Sequence, residues 1–135
     1  MTLSAVLDIR REIESLRAHI RTLRLSVTNI TAKLDGLPHS KAKTSKIEEL
    51  AVKIADEERR LAELQIELAD KAVVLSAEIC RRVSGVAGEI LIMRYIGGAS
   101  FDKISSTTGY SRSYVSRLHQ RGKQEFDDLI TSDLT

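Results

Sequence analysis

The stretch FDKISSTTGYSRSYVSRL, residues 101–118, decides how the C-terminal third of this chain folds. Ser100 and Ser111 each precede a helical segment, and serine there satisfies the free backbone N–H groups of the first turn. Gly109 lies between the two segments, at a tight turn where a side chain would be strained. The apolar residues that recur at inward-facing positions are Ile104, Val115 and Leu118. The spacing predicts two helices that cross at a turn, a helix-turn-helix.

A short apolar helix should precede this motif. Residues 90–96 are strongly apolar, and Gly97 and Gly98 follow them as residues that readily end a helix. The small Ser105 should let the two later helices cross closely, and the last helix should continue to about Ile130. The segment 84–88, with two glycines and a serine, is the candidate boundary between this module and the preceding chain.

Charge is sorted along the motif, although the net charge of the whole chain is only +2. Between Lys103 and Gln124 there are basic residues and no acid, whereas acids gather beyond Gln124. A surface that faces phosphates requires such sorting. The motif therefore indicates binding to duplex DNA.

The helical spacing also separates the sides of the last helix. If Val115, Leu118 and Gly122 face inward, a polar face points outward. Its first turns would enter the major groove, where arginine can grip guanine and glutamine can pair with adenine. The predicted base-reading residues are Arg112, Ser113, Ser116, Arg117 and Gln120. The predicted phosphate contacts are Lys103, Ser111, Tyr114, Arg121 and Lys123. His119 is either a further phosphate contact or simply exposed, and we favour simple exposure.

The N-terminal half carries a heptad pattern. Apolar residues recur every three and four positions at Val6, Ile9, Ile13, Leu16, Ile20, Leu23, Val27, Ile30 and Leu34. This pattern predicts a helix from about Leu3 to Leu34 whose narrow stripe needs a partner helix. Charged residues between the stripe positions, from Arg10 to Arg24, should form solvated faces. Residues 35–40 hold the only proline and should end the helix.

A second long helix follows. The segment 45–48, Ser-Lys-Ile-Glu, has the form of a capping box that would start this helix, which should extend to about Val83. An alanine flank from Ala51 to Ala72 should allow close approach of the partner helix. The basic connection 39–46 is either a solvated loop or a second contact with nucleic acid.

These elements define an all-α chain. Residues 1–84 should form a long antiparallel helical hairpin, a coiled coil that mediates oligomerisation, and residues 85–135 a three-helix helix-turn-helix module. A two-helix unit with this much aliphatic surface should not be complete alone. We therefore expect a homo-oligomer, most simply a homodimer.

Other classes of function are disfavoured. His19, His39 and His119 lie far apart in sequence, and neither a metal-ligand spacing nor a glycine-rich phosphate loop occurs, so an enzyme, a cofactor, a metal and a small-molecule substrate are not expected. Cys80, the single cysteine, is expected to be a packed core thiol in a reducing cytoplasm. No apolar run predicts a membrane helix, and the amphipathic N-terminus does not resemble a signal peptide.

The stretch from Glu89 to Ser105, followed by Gly109-Tyr-Ser and Val115-Ser-Arg-Leu-His, resembles region 4 of the sigma-70 family. That resemblance implies binding to a promoter element and contact with RNA polymerase. The whole layout is similar to small phage and prophage regulators, which implies a transcriptional regulator of phage genes in a bacterial cytoplasm. Two alternatives stay open: a DNA-packaging protein like a phage small terminase subunit, and an adaptor that docks on RNA polymerase without reading DNA.

Overall fold

The computed structural model describes residues 2–34 and 41–133, which are helical apart from short connections. Two long helices come first, α1 (Ser4–Leu34) and α2 (Lys41–Arg82). Three shorter helices follow: α3 (Gly85–Leu91), which continues into a π-helical turn (Ile92–Ile96), then α4 (Phe101–Thr108) and α5 (Arg112–Asp133). The predicted all-α class, with two long helices before a C-terminal helical module, is confirmed. The predicted connection 35–40 lies outside the described residues.

By its internal contacts the chain divides into two units, Met1–Arg10 with Leu68–Thr135, and Arg11–Glu67. The sequence predicts a division at residue 84 instead. The difference arises because the start of α1 and the end of α2 share a core with α3 and α5. The shared core consists of Leu3, Val6, Leu75, Ile79, Val83, Ala87, Leu91, Tyr95 and Phe126.

Within the unit Arg11–Glu67, the predicted stripe of α1 is buried in part, and Leu16, Val27 and Ile30 are half-buried. Ile13, Ile20 and Leu23 are almost inaccessible, as is Leu64 of α2. Exposed ion pairs join the two helices outside the stripe, Glu12 with Arg60 and Arg24 with Glu58. The His19 imidazole also lies 3.4 Å from a carboxylate oxygen of Glu57. Exposed pairs of this kind each contribute about 0–1 kcal/mol, so the buried aliphatic side chains hold this unit together.

Three sequence-based expectations about the long helices are wrong. The helix α2 begins at Lys41, so Ser45 lies inside it and no capping box starts it. The alanines from Ala51 to Ala69 are exposed, and therefore do not line the contact with α1. Cys80, which was expected to be a packed core thiol, is exposed near the end of α2. The predicted end of α2 at about Val83 agrees with the structure, in which α2 ends at Arg82 and α3 begins at Gly85.

Arg10, which the heptad pattern assigns to a solvated face, is half-buried. Its guanidinium donates a hydrogen bond to the carbonyl of Ile96, 86 residues away, at the end of the π-helical turn. Gly98, with a φ of 70°, passes so close that a Cβ there would lie 3.0 Å from Arg10 Cδ. The start of α1 thus provides a hydrogen-bond donor for the Ile96 carbonyl, at the end of a helical turn in the C-terminal module.

We expect Arg10→Ala to lower the free energy of unfolding by about 1.5–3 kcal/mol, the usual range for a hydrogen bond to a charged group. Urea unfolding followed by circular dichroism measures this loss. Arg21→Ala, at an exposed position of the same helix, is the matched control and should change stability by less than about 0.5 kcal/mol. Equal losses in both variants would contradict the structural role of Arg10.

Candidate nucleic-acid interface

Two serine caps and one glycine define the relation between α4 and α5. Ser100 Oγ accepts a hydrogen bond from the N–H of Lys103 at 3.2 Å. Ser111 Oγ accepts one from the N–H of Tyr114, also at 3.2 Å. Gly109 adopts a φ of 80°, in the left-handed region that favours glycine. Both predicted caps and the predicted turn are confirmed.

A second small core holds the helices of this module together. It consists of Ile90, Ile104, Val115 and Leu118, all buried. On α5, Gly122 faces α3 so closely that a Cβ would lie 3.2 Å from the side chain of Leu91. The inward face of α5 is therefore the predicted one. The half-buried Ser105 also uses its hydroxyl, which donates to the carbonyl of Tyr110 at 2.6 Å.

The π-helical turn before α4 directs Arg94 into the module. The Arg94 guanidinium donates a hydrogen bond to the carbonyl of Ala99 at 3.0 Å and lies 5.0 Å from the centroid of the Phe101 ring. It thereby fixes the connection between the turn and α4. Although basic, Arg94 is a structural part of the module and not a member of its polar face.

The polar face of α5 is exposed. Its residues occur at spacings of one, three, one and three, which keep them on one side of the first turns of the helix. All five predicted base-reading residues belong to this face: Arg112, Ser113, Ser116, Arg117 and Gln120.

Arg112 has an acidic neighbour that the sequence pattern does not indicate. Its guanidinium lies 2.8 Å from a carboxylate oxygen of Asp102 on α4, and the two side chains are 67% and 76% exposed. Such an exposed pair contributes at most about 1 kcal/mol, so Arg112 can exchange the carboxylate for another acceptor. The stretch without acidic residues, Lys103 to Gln124, begins directly after Asp102.

Two exposed tyrosines extend the polar face of α5. The rings of Tyr110 and Tyr114 meet edge to face with centroids 5.2 Å apart. The Arg117 guanidinium lies 5.7 Å from the centroid of Tyr114. This contact limits the rotamers of Arg117 and so lowers the entropy cost of binding a planar acceptor.

The predicted phosphate contacts differ in how accessible they are. Lys103, Ser111, Tyr114 and Arg121 are exposed, whereas Lys123 is half-buried. The Ser111 hydroxyl already accepts the capping hydrogen bond of α5. Arg121 pairs with Glu125 on the same helix at 3.3 Å. Lys103 and Arg121 are therefore the two exposed cations of this predicted set, and Arg121 has an ion-pair partner on its own helix.

The expectation that His119 is exposed is wrong. The imidazole is half-buried, its Nε2 is hydrogen-bonded to the Tyr95 hydroxyl at 2.8 Å, and the Phe101 ring contacts it edge to face. Burial lowers the pKa of His119, and the positive charges of Lys123 and Arg94 lower the pKa further. The folded module therefore favours the neutral ring. In the sequence, the place of His119 directly after the inward-facing Leu118 was the signal that could have indicated this burial.

No metal site emerges from the described part of the chain, where His, Cys, Asp and Glu side chains nowhere form a group of three that could hold an ion. Over residues 2–34 and 41–133, no helix combines the length and apolar character needed to cross a membrane.

No protein-family model, no curated protein and no solved structure matches this chain. The function of the chain is therefore inferred from the residues of the module and from their geometry.

Proposed function

We propose that this protein binds duplex DNA sequence-specifically through the polar face of α5, and that it regulates transcription. The resemblance of residues 89–119 to sigma region 4, and of the whole layout to phage regulators, supports assigning it to the control of phage or prophage genes in a bacterial cytoplasm. RNA polymerase is a further partner that this resemblance suggests.

The observation that carries the proposal is that α5 has an exposed polar face and a buried face on its opposite side. Its polar face is exposed along the first turns, while Val115, Leu118 and Gly122 are buried on the opposite side. An α-helix is about 10–12 Å wide with its side chains, and the major groove of B-DNA is about 12 Å wide. The helix can therefore enter the groove without any rearrangement of its own core.

The side chains of this face have the chemistry that base recognition needs. Arg112 and Arg117 can each donate two hydrogen bonds to O6 and N7 of guanine, and Gln120 can pair with adenine. Asp102 and Tyr114 restrict the two arginines before binding. Ser113 and Ser116 are short enough to let the helix approach the bases closely.

Selection of bound duplexes from a random pool tests the proposal. We expect one enriched sequence that contains guanines, and weakened enrichment when Arg112 or Arg117 is replaced. Failure to enrich any sequence, together with binding to RNA polymerase, would favour the adaptor. Enrichment accompanied by a ring of eight or more subunits would favour a packaging protein.

Lys103→Ala should weaken binding to all DNA sequences by a similar factor. Because one phosphate contact is lost, the slope of log affinity against log salt concentration should become less steep by about one. Fluorescence anisotropy with the selected and a scrambled duplex at several salt concentrations measures both effects. Lys53→Ala, an exposed lysine on α2, is the matched control and should leave the slope unchanged. A loss confined to the selected duplex would contradict a phosphate contact.

A further inference from the structure

One acidic side chain lies beside the polar face of α5. Asp102, in the first turn of α4, has a carboxylate oxygen 2.8 Å from Nη1 of Arg112, which donates a hydrogen bond to it. The residues that follow, from Lys103 to Gln124, contain no acid. The last acid before this stretch therefore contacts an arginine of the polar face, although a negative charge there opposes the approach of DNA phosphates.

The Arg112 guanidinium can donate in two directions at once. It carries five N–H groups in a planar fork, and among the described residues it uses Nη1 for the bond to Asp102. Nε and Nη2 form a second edge of the same plane, and such an edge can donate to O6 and N7 of guanine. The bond to Asp102 and a pair of bonds to guanine therefore fit on one guanidinium together.

We propose that Asp102 is a specificity-determining residue of the DNA interface, which directs Arg112 to guanine and keeps it from the phosphates. This proposal rests on the proposed function. Because O6 and N7 of guanine are uncharged acceptors, a guanine can lie beside the carboxylate without charge repulsion. A phosphate that accepts from the same edge of Arg112 brings a second negative charge near the carboxylate, and the two repel each other. The carboxylate therefore weakens the non-specific contact and leaves the specific one unaffected.

The exposure of the pair separates this role from a contribution to folding. The two side chains are 67% and 76% exposed, and an exposed pair adds little to stability. Arg112 therefore stays accessible to DNA while the contact with Asp102 restricts its position. A carboxylate in the first turn of α4 also favours that helix. The two effects have different readouts, because only an effect on base recognition changes the ratio of specific to non-specific affinity.

Asp102→Asn in the full-length protein removes the charge and keeps the size of the side chain. We expect tighter binding to the scrambled duplex, so that the ratio of specific to non-specific affinity falls about threefold to tenfold, the effect of one close charge pair. Because Arg112 can then contact a phosphate, the slope of log affinity against log salt concentration for the scrambled duplex should become steeper by about one. Fluorescence anisotropy with the selected and scrambled duplexes measures both quantities.

Two controls isolate the contact between Asp102 and Arg112. Asp128→Asn removes the same charge from an exposed position further along α5, and should leave the ratio unchanged. Asp102→Asn in an Arg112→Ala background should also leave the ratio of that background unchanged, because no guanidinium remains to be directed. Circular dichroism verifies that all the variants fold.

The outcomes distinguish a failure of this proposal from a failure of the proposed function. If the unmodified protein does not discriminate between the selected and the scrambled duplex, both are wrong. If it does discriminate, four results would overturn the role of Asp102 alone: an unchanged ratio in Asp102→Asn, an equal loss of affinity for both duplexes, an equal fall of the ratio in Asp128→Asn, or the same fall without Arg112. A fall of the ratio that requires Arg112 supports the proposal.

Discussion

The double variant Arg112→Ala with Arg117→Ala should bind its selected DNA site more weakly by about 2–6 kcal/mol. Each arginine that grips a guanine contributes about 1–3 kcal/mol of discrimination against the wrong base. Because the lost contacts are to bases, most of the loss should appear on the selected duplex, so that the ratio of specific to non-specific affinity falls. Fluorescence anisotropy with selected and scrambled duplexes at one salt concentration measures that ratio.

A matched pair of variants separates base reading from general attraction. Arg17→Ala with Arg21→Ala removes the same two charges from exposed positions of α1, and should leave the ratio unchanged. If the double variant on α5 keeps the specificity of the unmodified protein, then the polar face of α5 does not read the sequence. The assignment of Arg112 and Arg117 would then have to be abandoned.

The single variants Arg112→Ala and Arg117→Ala should weaken DNA binding to different extents. Arg112 interacts with Asp102, so Arg112→Ala leaves an exposed carboxylate at the edge of the polar face of α5. That carboxylate would repel DNA phosphates. Arg117 interacts with the ring of Tyr114, and its removal leaves no such charge. The cost of Arg112→Ala therefore includes repulsion as well as a lost contact.

Phe126→Ala should lower the free energy of unfolding by about 3–5 kcal/mol, the range for deletion of a buried phenylalanine side chain. Phe126 is 1% exposed in the core that α1, α2, α3 and α5 share, and the guanidinium of Arg82 lies 5.0 Å from the centroid of its ring. Removing the ring leaves a cavity and exposes a charged group that is otherwise mostly covered. Urea unfolding measures the loss.

Phe126→Leu is the conservative control for this variant. Leucine fills much of the same volume, so we expect a clearly smaller loss of stability than for alanine. A loss below about 1 kcal/mol for Phe126→Ala would contradict the shared core. The end of α5 would then not share a core with the start of α1.

The sequence was a good guide wherever a feature depends on nearby residues. Ser100 and Ser111 cap their helices because a serine hydroxyl reaches an N–H three residues away. Gly109 makes the turn because of its own backbone freedom. The buried stripe of α1 follows from helical period, and so does the exposure of the polar face of α5.

The sequence pattern did not predict the features that depend on residues far apart in the chain. The heptad pattern predicts a solvated Arg10, whereas in the structure its guanidinium donates a hydrogen bond to the carbonyl of Ile96. The sequence pattern predicts an exposed His119, whereas in the structure Tyr95 and Phe101 pack against its ring. Ser45 carries a good capping sequence, yet α2 begins earlier. Local preference is a weak influence, and tertiary contacts override it.

The sequence by itself determined most of the helices, the caps at Ser100 and Ser111, the turn at Gly109 and the sorted charge of the candidate interface, since each arises from residues within a few positions of one another. Only the tertiary structure decided that the start of α1 and the end of α2 share a core with α3 and α5. It also decided that Asp102 meets Arg112 and that Cys80 is exposed. The physical reason is burial: which apolar side chains exclude water together depends on the path of the whole chain.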